Sequence, residues 1–319
     1  MENTGFWTKL DIWMSKRILP VRIIYDSIRI FLLEHCTIRA TALAYTSLFA
    51  AVPLLILLTS ISLSLGMGDL FINYLPSRLP EILVDLDVVM PFLMKVQEIR
   101  LGSLGIIGGV GLLVTFLLAI DTIETNMNIV WGINEARGYG QKAAVFIPFL
   151  LLFAAGIGIF SMFLRYMHGI LEAILVQSLP FGKFGELLVG LSIPIALLAL
   201  FFIALWLLYC YMPYVPEEGG FWRAALKKTI KRWLPALISA IFTFVALGFF
   251  IAVMIFLQAN MFARWSLLYG SLAILPMLMF LLFGFWCIVL FGNTLCWRIT
   301  ERKLPQEYFL NRITNSIRH

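Results

Sequence analysis

The residues of this chain that are best suited to chemistry lie in one short polar run. Asp121, Glu124, Thr125 and Asn128 are spaced by three and four residues, so a helix places them on one face. They follow an apolar stretch, and ionisable groups at membrane depth are costly unless they are paired or hydrated. One interpretation is the polar lining of an inward-facing cavity, in which a carboxylate takes up and releases protons. The other is a span that ends at Ile120 and continues as a water-exposed helix, and the pattern supports both.

A second polar trio, Arg165, His168 and Glu172, also falls on one helical face, because its spacings are three and four residues. Two basic side chains beside a carboxylate could bind the headgroup of a lipid at the outer membrane surface. The same arrangement is typical of a solvated ladder of side chains at a membrane interface. The sequence therefore leaves two interpretations, a headgroup contact or a hydrated helix face.

Recognisable enzyme motifs are absent from the sequence, which favours a non-enzymatic protein. The three histidines lie in different regions, so no histidine-rich metal cluster is expected. No phosphate-binding loop ends in Gly-Lys-Ser/Thr, and no Gly-x-Ser-x-Gly elbow occurs. The four cysteines show neither disulfide-like nor metal-ligand spacing. We expect no catalytic residue, no metal and no cofactor, and a transporter made of this chain alone would use a gradient or act passively.

The elements that position these side chains must be the apolar stretches of the chain. Six such stretches run for 20 or more residues without Asp, Glu, Lys or Arg. They are 40–68, 101–120, 143–164, 187–216, 234–263 and 265–297. About 20 apolar residues, at ~1.5 Å rise each, cross the ~30 Å hydrocarbon layer of a bilayer. The chain is 61% hydrophobic and 13% charged, against roughly 25% charged for a soluble domain. We predict an all-α, polytopic membrane protein, a single integral-membrane domain over 1–319 with a six-span bundle over 40–297.

Basic residues are distributed unequally between the connectors. Of the 24 Lys and Arg residues, 18 lie before the first span, after the second and fourth spans, and after the last. The positive-inside rule places these segments in the cytoplasm, including an amphipathic N-terminus over 1–39 and a tail over 298–319. The net charge of +6 is then explained by topology and by contact with anionic lipids, so membrane lipids are expected partners and nucleic acid is not. The first 39 residues lack a signal-peptide pattern, so the stretch 40–68 is expected to be a retained span.

Three segments outside the spans are expected to lie on membrane surfaces. Residues 21–38 place apolar side chains at helical spacing with Arg22, Asp26 and Arg29 opposite. This pattern predicts an interfacial amphipathic helix that leads into the first span. The outer connector 69–100 is expected to contain one or two short surface helices. The connector 165–186 is either another surface helix or a shallow re-entrant segment.

Four short motifs stand out in the sequence: ATALAYTSLFAAVP at 40–53, NIVW at 128–131, YGSL at 269–272 and LFGNTL at 290–295. As a set they resemble the motifs of the YihY/BrkB family of bacterial inner-membrane proteins. Residues 40–53 (ATALAYTSLFAAVP) are similar to its first-span signature, and residues 128–131 (NIVW) to its Asn-x-x-Trp element. Residues 269–272 (YGSL) resemble the motif that opens its last span. Residues 290–295 (LFGNTL) stand where the family usually has a Leu-Gly-Ala-Glu-like stretch. The likeness extends over roughly residues 20–300.

The last motif departs from the family, since Asn293 and Thr294 replace the usual alanine and glutamate. If that glutamate couples transport in relatives, this chain lacks it or relies on Asp121 or Glu124. The resemblance implies a six-helix inner-membrane protein of the cell envelope, and some members are connected with envelope lipid or lipopolysaccharide export. An older family name attaches a tRNA-processing ribonuclease to it. The sequence contains no recognisable metal ligands or acid–base pairs for a nuclease, so this activity is not expected.

The three other motifs each place a polar side chain beside small residues: Tyr45, Asn128 and Tyr269. Small residues let helices approach closely, and a polar group at such a crossing needs a partner or water. We predict that the three side chains face the bundle interior and form one structural and functional focus. Asn128 is the strongest of them, because its amide can both donate and accept across a helix junction.

Two functional hypotheses follow from these observations. The first is a transporter or flippase-like facilitator of a lipid or amphipathic envelope component in the bacterial inner membrane, without an ATPase of its own. The second is a non-transporting scaffold that binds partners through its helices and its outer connector. A polar cavity that reaches mid-membrane depth favours transport, and a solid bundle favours the scaffold. The sequence leaves the substrate, its direction and the oligomeric state open.

Overall fold

The computed structural model of the protein describes residues 19–64, 101–133, 138, 140–142, 166, 182–213, 221–257 and 274–301. Within this part of the chain, the secondary structure consists of six α-helices. They are α1 (Leu19–Leu33), α2 (Cys36–Ser64), α3 (Leu101–Val130), α4 (Gly182–Tyr211), α5 (Phe221–Leu257) and α6 (Ile274–Thr300). The predicted all-helical class is confirmed for these residues. The third predicted span, the connector 69–100 and most of the connector 165–186 lie outside the described residues.

Two helices continue beyond the apolar stretches that predicted them. α3 runs on from Ile120 to Val130, and α5 begins at Phe221, well before its predicted start at residue 234. Lysine, arginine and glutamate end an apolar run but are good helix formers, so these charged extensions stay helical. Polar side chains in the α3 extension also bond to its own backbone, since Asn126 Nδ2 donates to the Thr122 carbonyl oxygen over 2.7 Å.

Two of the described helices contain segments that are long and apolar enough to cross a bilayer, Lys231–Leu257 in α5 and Pro276–Thr300 in α6. Only 22% of the apolar window in the first and 39% in the second is buried. On α5, Val245, Phe249 and Phe256 share one exposed face. Helices that direct apolar side chains outwards in this way suit a lipid environment better than water. The fold is therefore that of a helical membrane protein.

The last helix, α6, is the centre of the described bundle. It packs against α1, α2, α3 and α5, while α4 packs against α5. A tight crossing joins α4, α5 and α6 at Gly292. There the Tyr209 hydroxyl lies 2.8 Å from Thr243 Oγ1 and donates to the Val289 carbonyl oxygen over 3.0 Å. Because glycine has no side chain, α6 can approach the Tyr209 and Thr243 side chains closely at this point.

A sharp corner separates α1 from α2 and holds α1 beside α6. His35 adopts a left-handed backbone conformation with φ of 51°, which ends α1. This conformation costs a non-glycine residue roughly 1–2 kcal/mol, so the corner depends on local hydrogen bonds. Arg39 Nε provides one by donating to the Glu34 carbonyl oxygen over 2.8 Å, at the end of α1 where carbonyl groups lack helical partners.

Candidate functional site

The polar face of α3 holds a buried cluster of three charged groups. Lys142 Nζ donates to Asp121 Oδ1 and lies 3.9 Å from Glu124 Oε2. The Glu124 and Lys142 side chains are 0% and 2% exposed, whereas the Asp121 side chain is 31% exposed. We call Asp121, Glu124 and Lys142 the charged triad. Two carboxylates thus share one ammonium group, and only Asp121 reaches the surface.

The chain brings Lys142 to the carboxylates by folding back after α3. The last turn closes when the Trp131 and Ile133 amides donate to the Asn128 carbonyl oxygen over 2.9 and 3.1 Å. Gly132 follows with φ of 70°, a left-handed conformation that glycine adopts without a steric penalty. The Lys142 amide then donates to the Gly138 carbonyl oxygen over 3.0 Å. This return places Lys142 beside side chains that lie about two to three turns before the end of α3.

The electrostatics of the charged triad are unusual for a structural contact. Moving a charge out of water costs several kcal/mol per ion, and attraction repays it only when the charges balance and the geometry is good. Lys142 lies within ion-pair distance of both carboxylates, and of the two only Glu124 is fully buried. Ionisable groups in such positions inside membrane proteins usually belong to substrate or proton pathways.

The sequence left open whether α3 is exposed to water after Ile120. For Glu124 that prediction is wrong, because its side chain is buried. Further along the helix, Met127, Asn128 and Val130 are also buried. The cavity interpretation stays a prediction. Sequence reasoning missed Lys142 as the partner of these carboxylates, since it was assigned to a cytoplasmic connector by its charge. The only available signal was a lysine close to the next apolar stretch.

A second polar cluster joins the ends of α3, α5 and α6. Trp131 Nε1 donates to Asn293 Oδ1 over 2.9 Å, and Asn293 Nδ2 donates to the Met127 carbonyl oxygen over 3.0 Å. The Arg232 guanidinium carbon lies 4.4 Å from the centre of the Trp131 ring, a cation–π contact. Arg232 Nη1 also donates to the Pro213 carbonyl oxygen over 2.8 Å. Asn293 thus pairs with the tryptophan of the Asn-x-x-Trp motif, a link that no local pattern predicts.

Basic segments from distant parts of the chain meet at one end of the bundle. Arg298 Nε, at the end of α6, lies 2.7 Å from Asp26 Oδ2 of α1, and both side chains are less than 9% exposed. The Trp131–Arg232 contact brings the connector after α3 to the start of the α5 span. We call this end, defined by Asp26, Trp131, Lys142, Arg232 and Arg298, the polar end. Asp26 lies opposite the exposed apolar residues of its helix, as the spacing predicts, and it is buried against Arg298.

The predicted focus of three motif residues is only partly reproduced. Asn128 is buried as predicted, with 2% exposure. Tyr45 is 58% exposed and its ring packs on Phe49 at 4.6 Å between centroids, so the prediction that Tyr45 faces the interior is wrong. Ser47 instead points inwards and accepts a hydrogen bond from Trp286 Nε1 over 2.8 Å. Tyr269 lies outside the described residues, so its position stays a prediction.

Arg165, His168 and Glu172 lie outside the described residues, and the headgroup contact stays a prediction. Among the residues that the structure describes, no group of three or more His, Cys, Asp or Glu side chains could hold a metal ion. Cys36, Cys210, Cys287 and Cys296 are free thiols.

Comparison with known proteins identifies similar membrane proteins in bacteria. A sequence model of the family described as "Virulence factor BrkB" matches residues 27–311. The UPF0761 membrane protein RSc1559 of Ralstonia nicotianae is 25% identical over 265 residues, which cover 80% of this chain and 54% of that protein. A UPF0761 membrane protein of Cronobacter sakazakii is 25% identical over 284 residues, 86% of this chain and 87% of that protein. The UPF0761 membrane protein YihY of Escherichia coli is 29% identical over 211 residues, 63% and 61% of the two chains.

These alignments differ in how much of each relative they include. This chain spans about half of the Ralstonia protein and about two thirds of a Yersinia pseudotuberculosis relative that is 28% identical over 215 residues. No solved structure matches the chain significantly.

Proposed function

This chain belongs to the BrkB family of membrane proteins, and on that premise we propose that it moves a lipid or another amphipathic envelope component across the bacterial inner membrane. The proposal does not include an ATPase, because the sequence carries no phosphate-binding loop. Movement would then be passive or driven by a gradient. No nuclease role is proposed.

The proposed topology has six spans in a single domain, with both termini in the cytoplasm. Contacts at the polar end support it, because the segments with an excess of basic residues lie together there. Lys231, at the start of the α5 span, is 3.9 Å from Glu301, just after α6. Asp26 joins the N-terminal region to Arg298 at the same end. An even number of spans returns the chain to the side on which it began, which agrees with the contact between Asp26 and Arg298.

The observation that carries the transport proposal is the burial of the triad, in which two carboxylates lie within ion-pair distance of one lysine. A structural ion pair needs one carboxylate for Lys142, and Asp121 already supplies it. Glu124 adds a second carboxylate, fully buried, on the helix face that leads to the polar end. Ionisable groups buried within helical membrane proteins usually belong to substrate or ion pathways, and the triad is a group of this kind.

The experiment uses replacements that either keep the Asp121–Lys142 ion pair or remove all three charges of the triad. Replacing both carboxylates by amides would leave Lys142 as a buried, uncompensated charge, which costs about 3–5 kcal/mol and confounds activity with folding. Glu124→Gln keeps the Asp121–Lys142 pair and a side chain of nearly the same shape. The triple variant Asp121→Asn, Glu124→Gln and Lys142→Met removes all three charges together. Both variants are expected to fold and to insert.

Activity is measured in a strain depleted of the protein, by determining which envelope lipid accumulates in which leaflet. The wild-type chain should restore the leaflet distribution, and Glu124→Gln and the triple variant should fail to restore it at equal protein levels. Glu301→Gln is the matched control, because Glu301 is partly exposed and pairs with an exposed lysine. Full restoration by Glu124→Gln would refute the proposed role of the triad. An unchanged leaflet distribution on depletion would refute transport itself.

A scaffold without transport is the second candidate, and one observation favours it. The Asp26–Arg298 and Trp131–Asn293 pairs satisfy polar groups of α1, of α6 and of the turn directly after α3 within the polar end. Pairing of this kind closes helices against one another, as a static binding platform requires. For a scaffold, depletion leaves every lipid in its normal leaflet, and Glu124→Gln retains the ability to bind its membrane partners. The same leaflet assay therefore separates the two candidates.

A further inference from the structure

The N-terminal helix α1 turns its apolar side away from the protein. Val21, Ile24, Ile28 and Leu32 are 45%, 43%, 45% and 51% exposed. Their spacings of three, four and four residues place them in one row along the helix. We call these four residues the α1 stripe. In a soluble protein the α1 stripe would face the core, so its outward orientation indicates a non-aqueous partner.

Buried contacts fix the rotation of α1 about its own axis. Asp26 is paired with Arg298, and Ser27 and Ile30 are fully buried on the same side. The Phe31 ring meets Phe291 of α6 with 6.0 Å between centroids in an edge-to-face arrangement. Turning the α1 stripe inwards would separate a buried ion pair, which is strongly unfavourable. The outward orientation of the stripe is therefore built into the packing.

The edge of the α1 stripe is basic. On a helix, Arg22 and Arg29 lie next to Val21 and Ile28, at one border of the stripe. The only acidic residue of α1 is Asp26, which is turned into the protein. The exposed surface of α1 therefore combines apolar side chains with positive charge and carries no carboxylate.

Further apolar residues are exposed where α1 meets α2. They are Leu33 at the end of α1 and Ile38 at the start of α2. Apolar side chains bordered by arginine match the boundary between acyl chains and anionic headgroups.

We propose that the α1 stripe and Arg22 form a docking surface for anionic phospholipid. The stripe lies among the upper acyl chains, and the Arg22 guanidinium binds headgroup phosphates through charge-assisted hydrogen bonds. The Asp26–Arg298 pair joins α1 to α6, so lipid bound here lies against a helix that packs directly on the centre of the bundle. This proposal does not depend on transport, since a scaffold would use the same surface.

The test places a fluorescent label at the α1 stripe in the full-length protein. The variant Ile28→Cys, labelled with an environment-sensitive fluorophore, is reconstituted in bilayers of phosphatidylethanolamine and phosphatidylglycerol. Spin-labelled phosphatidylglycerol or spin-labelled phosphatidylcholine, at equal amounts, then quenches the label. The wild-type chain, labelled in the same way, measures background from the native cysteines. Spin labels near the headgroup should quench more than labels near the chain end.

The expected result is stronger quenching by the anionic lipid, by up to about fivefold in local concentration, the enrichment that one arginine near a membrane can provide. Arg22→Gln should reduce this preference while shallow quenching remains. Lys231→Gln is the control, because Lys231 is exposed at the same end but outside α1, and it should leave the preference unchanged.

Three outcomes would overturn the proposal. A label that is blue-shifted but not quenched would mean that protein, such as a second copy, covers the stripe. Equal quenching by the two lipids would remove the anionic preference. An equal loss of preference in Arg22→Gln and Lys231→Gln would assign it to the net charge of the polar end rather than to α1.

Discussion

The crossing of α4, α5 and α6 at Gly292 allows the packing of the bundle to be tested by a single methyl group. A Cβ atom added at Gly292 would overlap the Thr243 Oγ1 and Tyr209 hydroxyl atoms and would lie 2.8 Å from Tyr209 Cζ. The tyrosine ring is fully buried and cannot move without breaking its bonds to Thr243 and to the Val289 carbonyl oxygen. We expect Gly292→Ala to destabilise the folded protein.

The magnitude follows from two contributions. Overpacking a well-packed interior costs about 1–3 kcal/mol. Displacement of the Tyr209 hydroxyl weakens two hydrogen bonds, each worth roughly 0.6 kcal/mol between helices in a membrane. The total is about 2–4 kcal/mol. At about 2 °C per kcal/mol for a chain of this size, the midpoint of thermal unfolding should fall by roughly 4–8 °C.

The matched control is Gly248→Ala on α5, where an added Cβ meets nothing within 4 Å. This variant should be neutral or slightly stabilising, because alanine is the better helix former by about 0.5–1 kcal/mol. Thermal unfolding of both purified variants in the same detergent measures the difference. In the background of Thr243→Ala, the effect of Gly292→Ala should shrink by at least about 0.5 kcal/mol, since one of the overlapping atoms is gone. Equal unfolding midpoints for the two glycine variants would refute the close approach.

Three further predictions concern the N-terminal region and the topology. Asp26→Asn should destabilise the protein by about 3–5 kcal/mol, because it leaves the buried Arg298 charge uncompensated. The double variant Asp26→Leu and Arg298→Met removes both charges and should lower the midpoint of thermal unfolding by less. A double variant as unstable as the single one would contradict this. Burial raises the pKa of the Cys36 thiol, just before the first predicted span, from 9.0 to about 12, so Cys36 should resist maleimide at pH 8 until the protein is denatured. Because the folded pKa is the higher one, the stability from this thiol is fully present below pH ~9 and is lost as the pH rises towards ~12; rapid native labelling would contradict the burial. A reporter fused after Lys303 should be active only in the cytoplasm, and activity restricted to the outside would invert the topology.

Hydropathy predicted that the helices exist, but not where they end. Long uncharged runs marked α2 to α6, because the hydrocarbon layer sets a minimum apolar length. Whether the charged extension of α3 is buried or exposed could not be predicted, since a glutamate such as Glu124 is expected to face water unless its partner is known. Lys142 lies 21 residues away from Asp121, and Arg298 lies 272 residues away from Asp26. Helical spacing reports neighbours three or four residues apart, so it contains no information about such pairs.

The error at Tyr45 was avoidable from the sequence. Cys36, Ala40 and Leu43 are buried and recur at spacings of four and three, which defines the inner face of α2. A residue two positions after Leu43 and five after Ala40 falls on the opposite side of a helix. Ser47, four positions after Leu43, falls on the inner face and binds Trp286. The helical periodicity of α2 was therefore the better guide, and motif resemblance alone misplaced the tyrosine.

Some basic residues of the polar end serve two physical purposes at different times. During insertion, Lys142, Arg232 and Arg298 count among the 18 basic residues that favour the cytoplasmic side. In the folded protein all three are buried and engaged with carboxylates, a carbonyl group or an aromatic ring. They are therefore withdrawn from contact with anionic lipid, which leaves that role to exposed groups. Removing one charge of 18 leaves the asymmetry almost unchanged, so Arg298→Met should affect packing while the orientation of the chain stays the same.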